Sequence, residues 1–249
     1  MRVFLACTNS VGDKKNIKNS KYILESFFSG EKNCFNALKN CGVNNFLLDS
    51  GAFSYMSGAK CTKEILLEYL DKYIAFINKY DVKYFFELDV DTIFGIDFVE
   101  EMRNKLEKET GKQCIPVWHK GRGIEYWKKM VKEYKYIAIG GLVFHVKKQE
   151  WPLIKKMVDY AYSNGVKVHG LGFTKTKILE KENWKFYSID SSSWLASASR
   201  GQKLQVFKKC CIQNVDMDKR KTKAIISKMA DFNFLEWCKY QKYMDKKKW

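Results

Sequence analysis

Short apolar runs alternate with longer amphipathic segments along this chain, and this alternation constrains the fold more than any other feature. Near-continuous apolar runs are typical of strands in a parallel sheet that is covered on both faces. Seven runs are clear and the last is weaker: RVFLAC (2–7), NFLLD (45–49), YFFELD (84–89), CIPVW (114–118), YIAIG (136–140), VKVHGLG (166–172), FYSID (186–190) and LQVF (204–207).

The segments between the runs carry apolar residues three and four positions apart, which predicts helices. Clear helices are predicted over 62–79, 97–109, 123–134 and 148–163, and further ones near 21–40, 174–182 and 219–246. This βα repeat predicts an α/β fold, a (β/α)8 barrel of the TIM type, with 1–249 as one domain and 219–249 as a basic C-terminal helical segment. An open doubly wound sheet is the alternative. The barrel is favoured because nearly every run ends in polar residues or glycine, and in a barrel all strand ends meet at one mouth.

The charge of the chain indicates the class of partner. Of its 249 residues, 45 are Lys or Arg and 28 are Asp or Glu, which gives a net charge of +17. Such an excess favours a nucleic acid, although a lysine-rich proteome would also produce it. No run approaches the roughly 18 apolar residues of a membrane span. The apolar run near the N-terminus is too short for a signal peptide. We therefore expect a cytoplasmic protein without a membrane partner. The eight cysteines lack zinc-site spacing, and we predict no metal and no cofactor. The oligomeric state stays open.

Carboxylates at strand ends are the first candidates for chemistry. Asp49 and Asp190 each close an apolar run and, taken singly, could equally be turn or helix-cap residues. Together at one barrel mouth they suit acid and nucleophile roles on a glycosidic bond. Glu87, Asp89 and Asp91 would share a face if their strand continued, and at least one would need a Lys or Arg partner. We expect Asp89 to face the ligand, with Asp91 as the runner-up or a cap.

Glycines, histidines and aromatic residues lie at the same strand ends. Gly140-Gly141 would let a ligand approach the backbone or would simply form a tight turn. His119 and His169 could be site residues or structural ones, and Gly121-Arg122-Gly123 indicates a turn with a solvated arginine. Five aromatic side chains near the strand ends could stack a base or pack the rim: Phe53, Trp118, Phe144, Phe173 and Trp194.

Five segments in order resemble the motifs of tRNA-guanine transglycosylases and of their phage relatives, the 7-deazaguanine DNA transglycosylases. LLDSGAFS resembles the family's Asp-Ser-Gly-Gly-aromatic motif, and ELDVD its third-strand acidic motif. AIGGLV resembles its Gly-Gly-Leu motif, HGLG its glycine-bearing sixth strand, and SIDSSSW the segment with its catalytic aspartate. The order and spacing agree over about residues 45–195.

This resemblance implies a (β/α)8 barrel that exchanges a nucleobase in a nucleic acid. By resemblance, Asp190 would be the nucleophile that attacks C1′ of the target nucleotide. Asp49 would be the acid/base near the sugar and the base. Phe53 would stack on the base, with His169 on its other side.

The resemblance also assigns the residues that would recognise the base. Asp89 would read its hydrogen-bonding edge, helped by Ser50 and by the backbone of Gly140, Gly141 and Leu142. Trp118 or His119 would fill the place where the family has a glutamine.

The chain also departs from the family, and the departures shape the predicted function. It lacks the Cys-x-Cys-x-x-Cys zinc signature of the tRNA enzymes and is much shorter than they are, which favours DNA over tRNA as substrate. We expect exchange of guanine for a 7-deazaguanine base, with the free base as second partner. The alternatives are a DNA glycosylase that leaves an abasic site, for example in anti-phage defence, a non-catalytic nucleic-acid-binding barrel, and a small-molecule barrel enzyme.

Overall fold

A curled, seven-stranded parallel sheet organises the chain, which confirms the predicted α/β class. The computed structural model describes residues 1–56, 61–142, 147–201, 203–215 and 223–247. The sheet has the order β3-β2-β1-β7-β6-β5-β4. Its strands are β1 (Arg2–Ala6), β2 (Ile23–Ser26), β3 (Phe46–Asp49), β4 (Val117–Trp118), β5 (Tyr136–Ile139), β6 (Lys167–Gly170) and β7 (Ser188–Ser191).

Helices connect the strands, and most begin and end near the predicted positions. The α-helices are α1 (Glu31–Cys41), α2 (Ala52–Met56), α3 (Lys63–Lys79), α4 (Asp91–Phe94), α5 (Ile96–Thr110), α6 (Gly123–Glu133), α7 (Trp151–Ser163), α8 (Thr176–Lys181), α9 (Ser193–Ser199) and α10 (Lys223–Asp245). Short 3-10 helices cover Thr8–Ser10, Lys14–Asn19, Phe27–Ser29, Lys120–Arg122 and Lys148–Glu150. Residues 219–222 and 248–249 of the predicted basic C-terminal segment lie outside the described residues. No helix in the described ranges has the length and apolar character needed to cross a membrane.

Two predicted elements are wrong. The segment 21–40 is not one helix, because it contains β2, and α1 begins only at Glu31. The weak eighth run, LQVF, does not join the parallel sheet. It lies in β8 (Leu204–Lys208), which pairs antiparallel with β9 (Cys211–Val215). This hairpin packs among the helices: the amide of Phe207 donates to Glu236 of α10 over 2.8 Å, and the amide of Ile212 donates to Thr176 of α8 over 3.0 Å.

The run YFFELD lies between the two edge strands of the sheet. Phe85 forms a parallel bridge with Leu48 of β3, and Phe86 forms one with Ile115, just before β4. The amide of Phe86 donates to the Leu48 carbonyl over 3.0 Å, and the amide of Ile115 donates to the Phe85 carbonyl over 2.8 Å. The run therefore pairs with a neighbour on each side, through one β-bridge each, over a shorter stretch than predicted.

The two faces of the sheet bury separate apolar clusters. One face packs against the helices; the other, here called the inner face, buries a smaller cluster formed by strand residues and their immediate neighbours: Phe4, Ala6, Tyr22, Leu24, Leu47, Phe86, Ile115, Val117 and Ala138. Successive strand residues point to opposite faces. Asp49 follows the inner-face residue Leu47 by two positions, so its side chain lies on the inner face, at the carboxyl end of its strand.

Candidate functional site

Five polar side chains meet on the inner face, where the strands end at their carboxyl termini. Asp49 closes β3, His169 and Asp190 lie in β6 and β7, Asp89 closes the YFFELD run, and His119 follows β4. The charges of both other aspartates act on Asp49, so the three carboxylates are close together. We call these five residues the carboxylate site.

Asp49 has the most perturbed environment of the site. Burial raises its pKa from 3.8 to about 7, and the charge of Asp89 adds to the effect. Hydrogen bonds from Ser26 and from the amide of Gly51, the latter over 3.1 Å, act in the opposite direction. Gly51 has a φ of +80°, and a Cβ there would lie 2.6 Å from the Cβ of Phe28. The turn after Asp49 therefore requires glycine, and it holds a carboxyl group that can exchange a proton near neutral pH.

Asp190 lies in a different environment from Asp49. Its Oδ1 accepts a hydrogen bond from the amide of Gly172 over 2.6 Å and lies 3.1 Å from Nε2 of His169. Its side chain is 11% exposed, and the described residues offer no hydrogen bond to Oδ2. Oδ1 is thus held in place by two contacts.

His169 contacts Asp190 from the buried side of the sheet. It is fully buried, and the rings of Phe86 and Phe4 lie 5.3 and 6.1 Å from its own. The resemblance implied that His169 flanks the bound base. The structure buries it fully beside Asp190, and both of its nitrogens have protein partners.

Asp89 and His119 form a second polar pair. Oδ2 of Asp89 lies 2.8 Å from Nε2 of His119. Burial by itself would lower the pKa of His119, but the hydrogen bond and the charge of Asp89 outweigh it, and the pKa is raised. A Cβ at Gly140 would lie 2.7 Å from Nε2 of His119. The first glycine of the Gly-Gly pair therefore makes room for this histidine.

Trp118 lies outside the site. Its indole donates to the carbonyl of Gly123 over 2.7 Å, and its ring packs against Trp127 of α6, 6.1 Å away. This is the helix-covered face, as the alternation of side chains along β4 requires. Of the two residues proposed to stand in for the family's glutamine, His119 reaches the carboxylate site and Trp118 does not.

The other acids of ELDVD are held by buried arginines. Glu87 is fully buried and binds Arg122 over 2.7 Å and Arg103 over 3.0 Å, and Arg122 also binds Asp91 over 2.7 Å. The expectation that one of these acids meets an arginine is confirmed. Another expectation is wrong, because the Arg122 side chain is buried rather than solvated. The shared face of Glu87, Asp89 and Asp91 was expected only for a continuing strand, and that condition is not met. The cause is that the strand does not continue to Asp91, which begins α4.

The remaining candidates for base binding differ in their access to solvent. Ser50 and Leu142 are buried, Gly141 has a φ of +70°, and Phe53 is 61% exposed. The hydroxyl of Ser50 accepts a 3.4 Å hydrogen bond from the amide of Ala52. Of the other predicted rim aromatics, two are buried in the core and one lies outside the described residues: Phe173, Trp194 and Phe144.

Two titratable groups were given no role by the sequence analysis. Cys7, which follows β1, has its pKa raised to about 11, by burial and then by the charges of Glu25, Asp190 and Asp49. Glu25 is buried on β2, and burial raises its pKa. Only recognition of β2 as a strand would have drawn attention to Glu25.

Comparison with known proteins does not assign this chain to a family. No protein-family model matches the chain, and no curated protein sequence matches it. Within the ranges that the structure describes, no group of three or more His, Cys, Asp or Glu side chains has the arrangement of a metal site.

Proposed function

We propose that this chain is a (β/α)8 barrel enzyme that cleaves the N-glycosidic bond between a nucleobase and its sugar in DNA, with Asp190 as the nucleophile. One observation carries the proposal: two carboxyl groups with different environments lie at the same strand ends. Asp49 has a pKa near 7, whereas Asp190 is fixed by two polar contacts to one oxygen. Two acids in contrasting environments are what glycoside chemistry needs for its acid and its nucleophile.

Barrel closure is supported by the pairing of the YFFELD run. With Phe85 bridged to β3 and Phe86 bridged to the segment before β4, this run would be the eighth strand and would join the two edges of the sheet. The eight strands would then follow one another around the barrel in chain order, and their carboxyl ends would form one mouth.

The proposed reaction begins with attack of Asp190 Oδ2 on C1′ of the target nucleotide. A C1′–O bond forms, the C1′–N bond breaks, and its electron pair leaves with the base. Asp49, which holds a proton up to about pH 7, gives that proton to the departing base. The product is a covalent sugar ester on Asp190 and an ionised Asp49.

The second step would reverse the first with a different partner. An incoming 7-deazaguanine base loses a proton to Asp49 and attacks C1′, which releases Asp190. If water attacks instead, the same enzyme leaves an abasic site. The acid and base roles of Asp49 alternate as microscopic reversibility requires.

Recognition of the base would fall to groups around the two acids. Asp89 and His119 present a fixed acceptor and donor, and the Gly140-Gly141 backbone lies beside them. Phe53, exposed three residues beyond the buried Ser50, is placed to stack on a flat ring.

DNA as the partner is supported by charge. The net charge is +17, and exposed lysines follow the carboxyl ends of several strands: Lys14, Lys15 and Lys18 after β1, Lys120 after β4, and Lys175 and Lys177 after β6. Lysines around a mouth would bind phosphates while the target base is turned out of the stack.

Mass spectrometry of treated DNA tests the proposal. Plain and hypermodified phage DNA would be incubated with the protein, with and without 7-cyano-7-deazaguanine, and with Asp190→Ala and Asp190→Asn as matched inactive controls. Incorporation that depends on the added base supports exchange. Base release that leaves abasic sites supports the same cleavage with water as acceptor. Salt-sensitive binding without turnover, equal in wild type and in both Asp190 variants, would mean a binding protein and would overturn the proposal.

A further inference from the structure

A buried chain of hydrogen bonds runs from Asp190 across the neighbouring strands to Tyr136 of β5. Nε2 of His169 lies 3.1 Å from Oδ1 of Asp190, Nδ1 of His169 lies 2.6 Å from the hydroxyl of Ser188, and that hydroxyl lies 2.5 Å from the phenol oxygen of Tyr136. His169 and Ser188 are paired in register across β6 and β7 and are fully buried.

We infer that His169 is a positioning residue, which presents Asp190 to the substrate, and that Ser188 and Tyr136 set the tautomer of His169. The inference rests on the proposed role of Asp190 as the nucleophile. It differs from the family-derived expectation, in which His169 would touch the base.

The order of donors and acceptors follows from Tyr136, at the far end of this chain of hydrogen bonds. A neutral imidazole has one donor and one acceptor nitrogen, and the partner of one nitrogen decides the role of the other. If the phenol of Tyr136 donates to Ser188 and Ser188 donates to Nδ1 of His169, the remaining proton is on Nε2. It then points at Oδ1 of Asp190. The reverse order would set the Nε2 lone pair against the carboxylate.

Two properties of Tyr136 favour the first order. Burial raises its pKa, so the phenol keeps its proton and can donate. Its ring is held by the rings of Tyr187, 5.4 Å away, and Tyr84, 6.1 Å away, so the hydroxyl has a fixed direction. The hydrogen-bond chain thus begins at a protonated phenol, which can donate to Ser188, and ends at a carboxylate oxygen, which accepts.

The arrangement would act in both steps of the reaction. The His169 Nε2–H and the Gly172 amide both bind Oδ1, which keeps Oδ2 toward the sugar. In the sugar ester, Oδ1 is the carbonyl oxygen. When the ester is resolved, negative charge returns to the carboxylate, and the same two donors stabilise it.

Nitrogen-15 NMR of the free protein tests the hydrogen-bond chain without any substrate. The sequence has only three histidines, so variants at each assign the signals. At pH 8 we expect His169 as the neutral Nε2–H tautomer. In Ser188→Ala, loss of the donor to Nδ1 should move the Nδ1 resonance. A neutral Nδ1–H tautomer in the wild type, or an unchanged Nδ1 resonance in Ser188→Ala, would overturn the inference.

Single-turnover kinetics tests the positioning role. His169→Leu, which removes the donor, should lower the rate of base release about 100-fold at saturating DNA with little change in KM, and Ser188→Ala about 10-fold. His169→Gln, whose amide can reach Oδ1, should recover part of the rate. Equal rates in wild type, His169→Leu and Ser188→Ala would overturn the role.

The test of the hydrogen-bond order can be separated from the test of the proposed enzymatic function. If wild-type protein releases no base from any DNA, the proposed function fails, whereas the NMR result still decides the hydrogen-bond order. Should His169→Leu fail to fold, Ser188→Ala and Tyr136→Phe, which each remove one hydroxyl, carry the kinetic test.

Discussion

Replacing Asp49 by Asn should change how the stability of the protein depends on pH. The carboxyl has an ordinary pKa of 3.8 and a folded pKa of about 7, so between these values the folded protein binds a proton that the unfolded chain does not. Stability from this group is therefore greatest at low pH and falls as pH rises toward 7. At about 1.36 kcal/mol per pH unit, the full difference is about 4 kcal/mol. Asp49 is half-buried, and solvent screening should reduce this to about 2 kcal/mol.

Urea unfolding of wild type and Asp49→Asn from pH 4.5 to 8.5 measures this effect, because titrating groups that do not interact with Asp49 cancel in the difference. Relative to wild type, the variant should gain about 2 kcal/mol of unfolding free energy across that range. Asp71→Asn, at an aspartate whose side chain is 58% exposed and pairs with Lys105, makes the same substitution at the surface and is the matched control. A pH-independent difference for Asp49→Asn would mean that Asp49 is already ionised below pH 5. It could not then be the acid of the proposed reaction.

Three further predictions concern the surroundings of the site. Arg122→Met leaves Glu87 and Asp91 without a buried cation and should lower the free energy of unfolding by about 3–5 kcal/mol in urea titrations; a loss below 1 kcal/mol would contradict the buried pair. Asp89→Asn removes the charge that raises the pKa of His119, so its NMR titration midpoint should move down, and an unchanged midpoint would refute the contact. The logarithm of DNA affinity should fall linearly with the logarithm of salt concentration, and affinity independent of salt would exclude phosphate binding.

The sequence predicts the strands well where each apolar run is long and follows a clear helix. The runs at β1, β3, β5, β6 and β7 all correspond to strands of the sheet. The sequence does not predict β2, because this strand has only four residues and leads directly into Phe27-Phe28 and α1. The apolar spacing over 21–40 is therefore that of a helix. LQVF is a true strand, but the hairpin turn at Lys209-Cys210 has none of the glycine or asparagine that marks such turns.

The site was predictable at the level of strand ends but not of side-chain direction. Asp49, Asp89, His119 and Asp190 do converge, because parallel strands bring their carboxyl ends together. Trp118 could have been excluded, since it is adjacent in sequence to His119 and must face the opposite side. By contrast, the partners of Glu87 come from elements that are distant in sequence, and no local pattern shows them.

The separation of charge in this protein bears on what it can bind. Among the described residues, the only ionisable partners in contact with the site carboxylates are histidines: His119 for Asp89 and His169 for Asp190. Uncompensated acids repel one another and stabilise a cation, and the oxocarbenium-like state of glycosidic cleavage is one. A phosphate would be repelled from the same place. If DNA is the substrate, its backbone must therefore stay at the outer lysines while a single nucleotide enters, which requires the base to leave the stack.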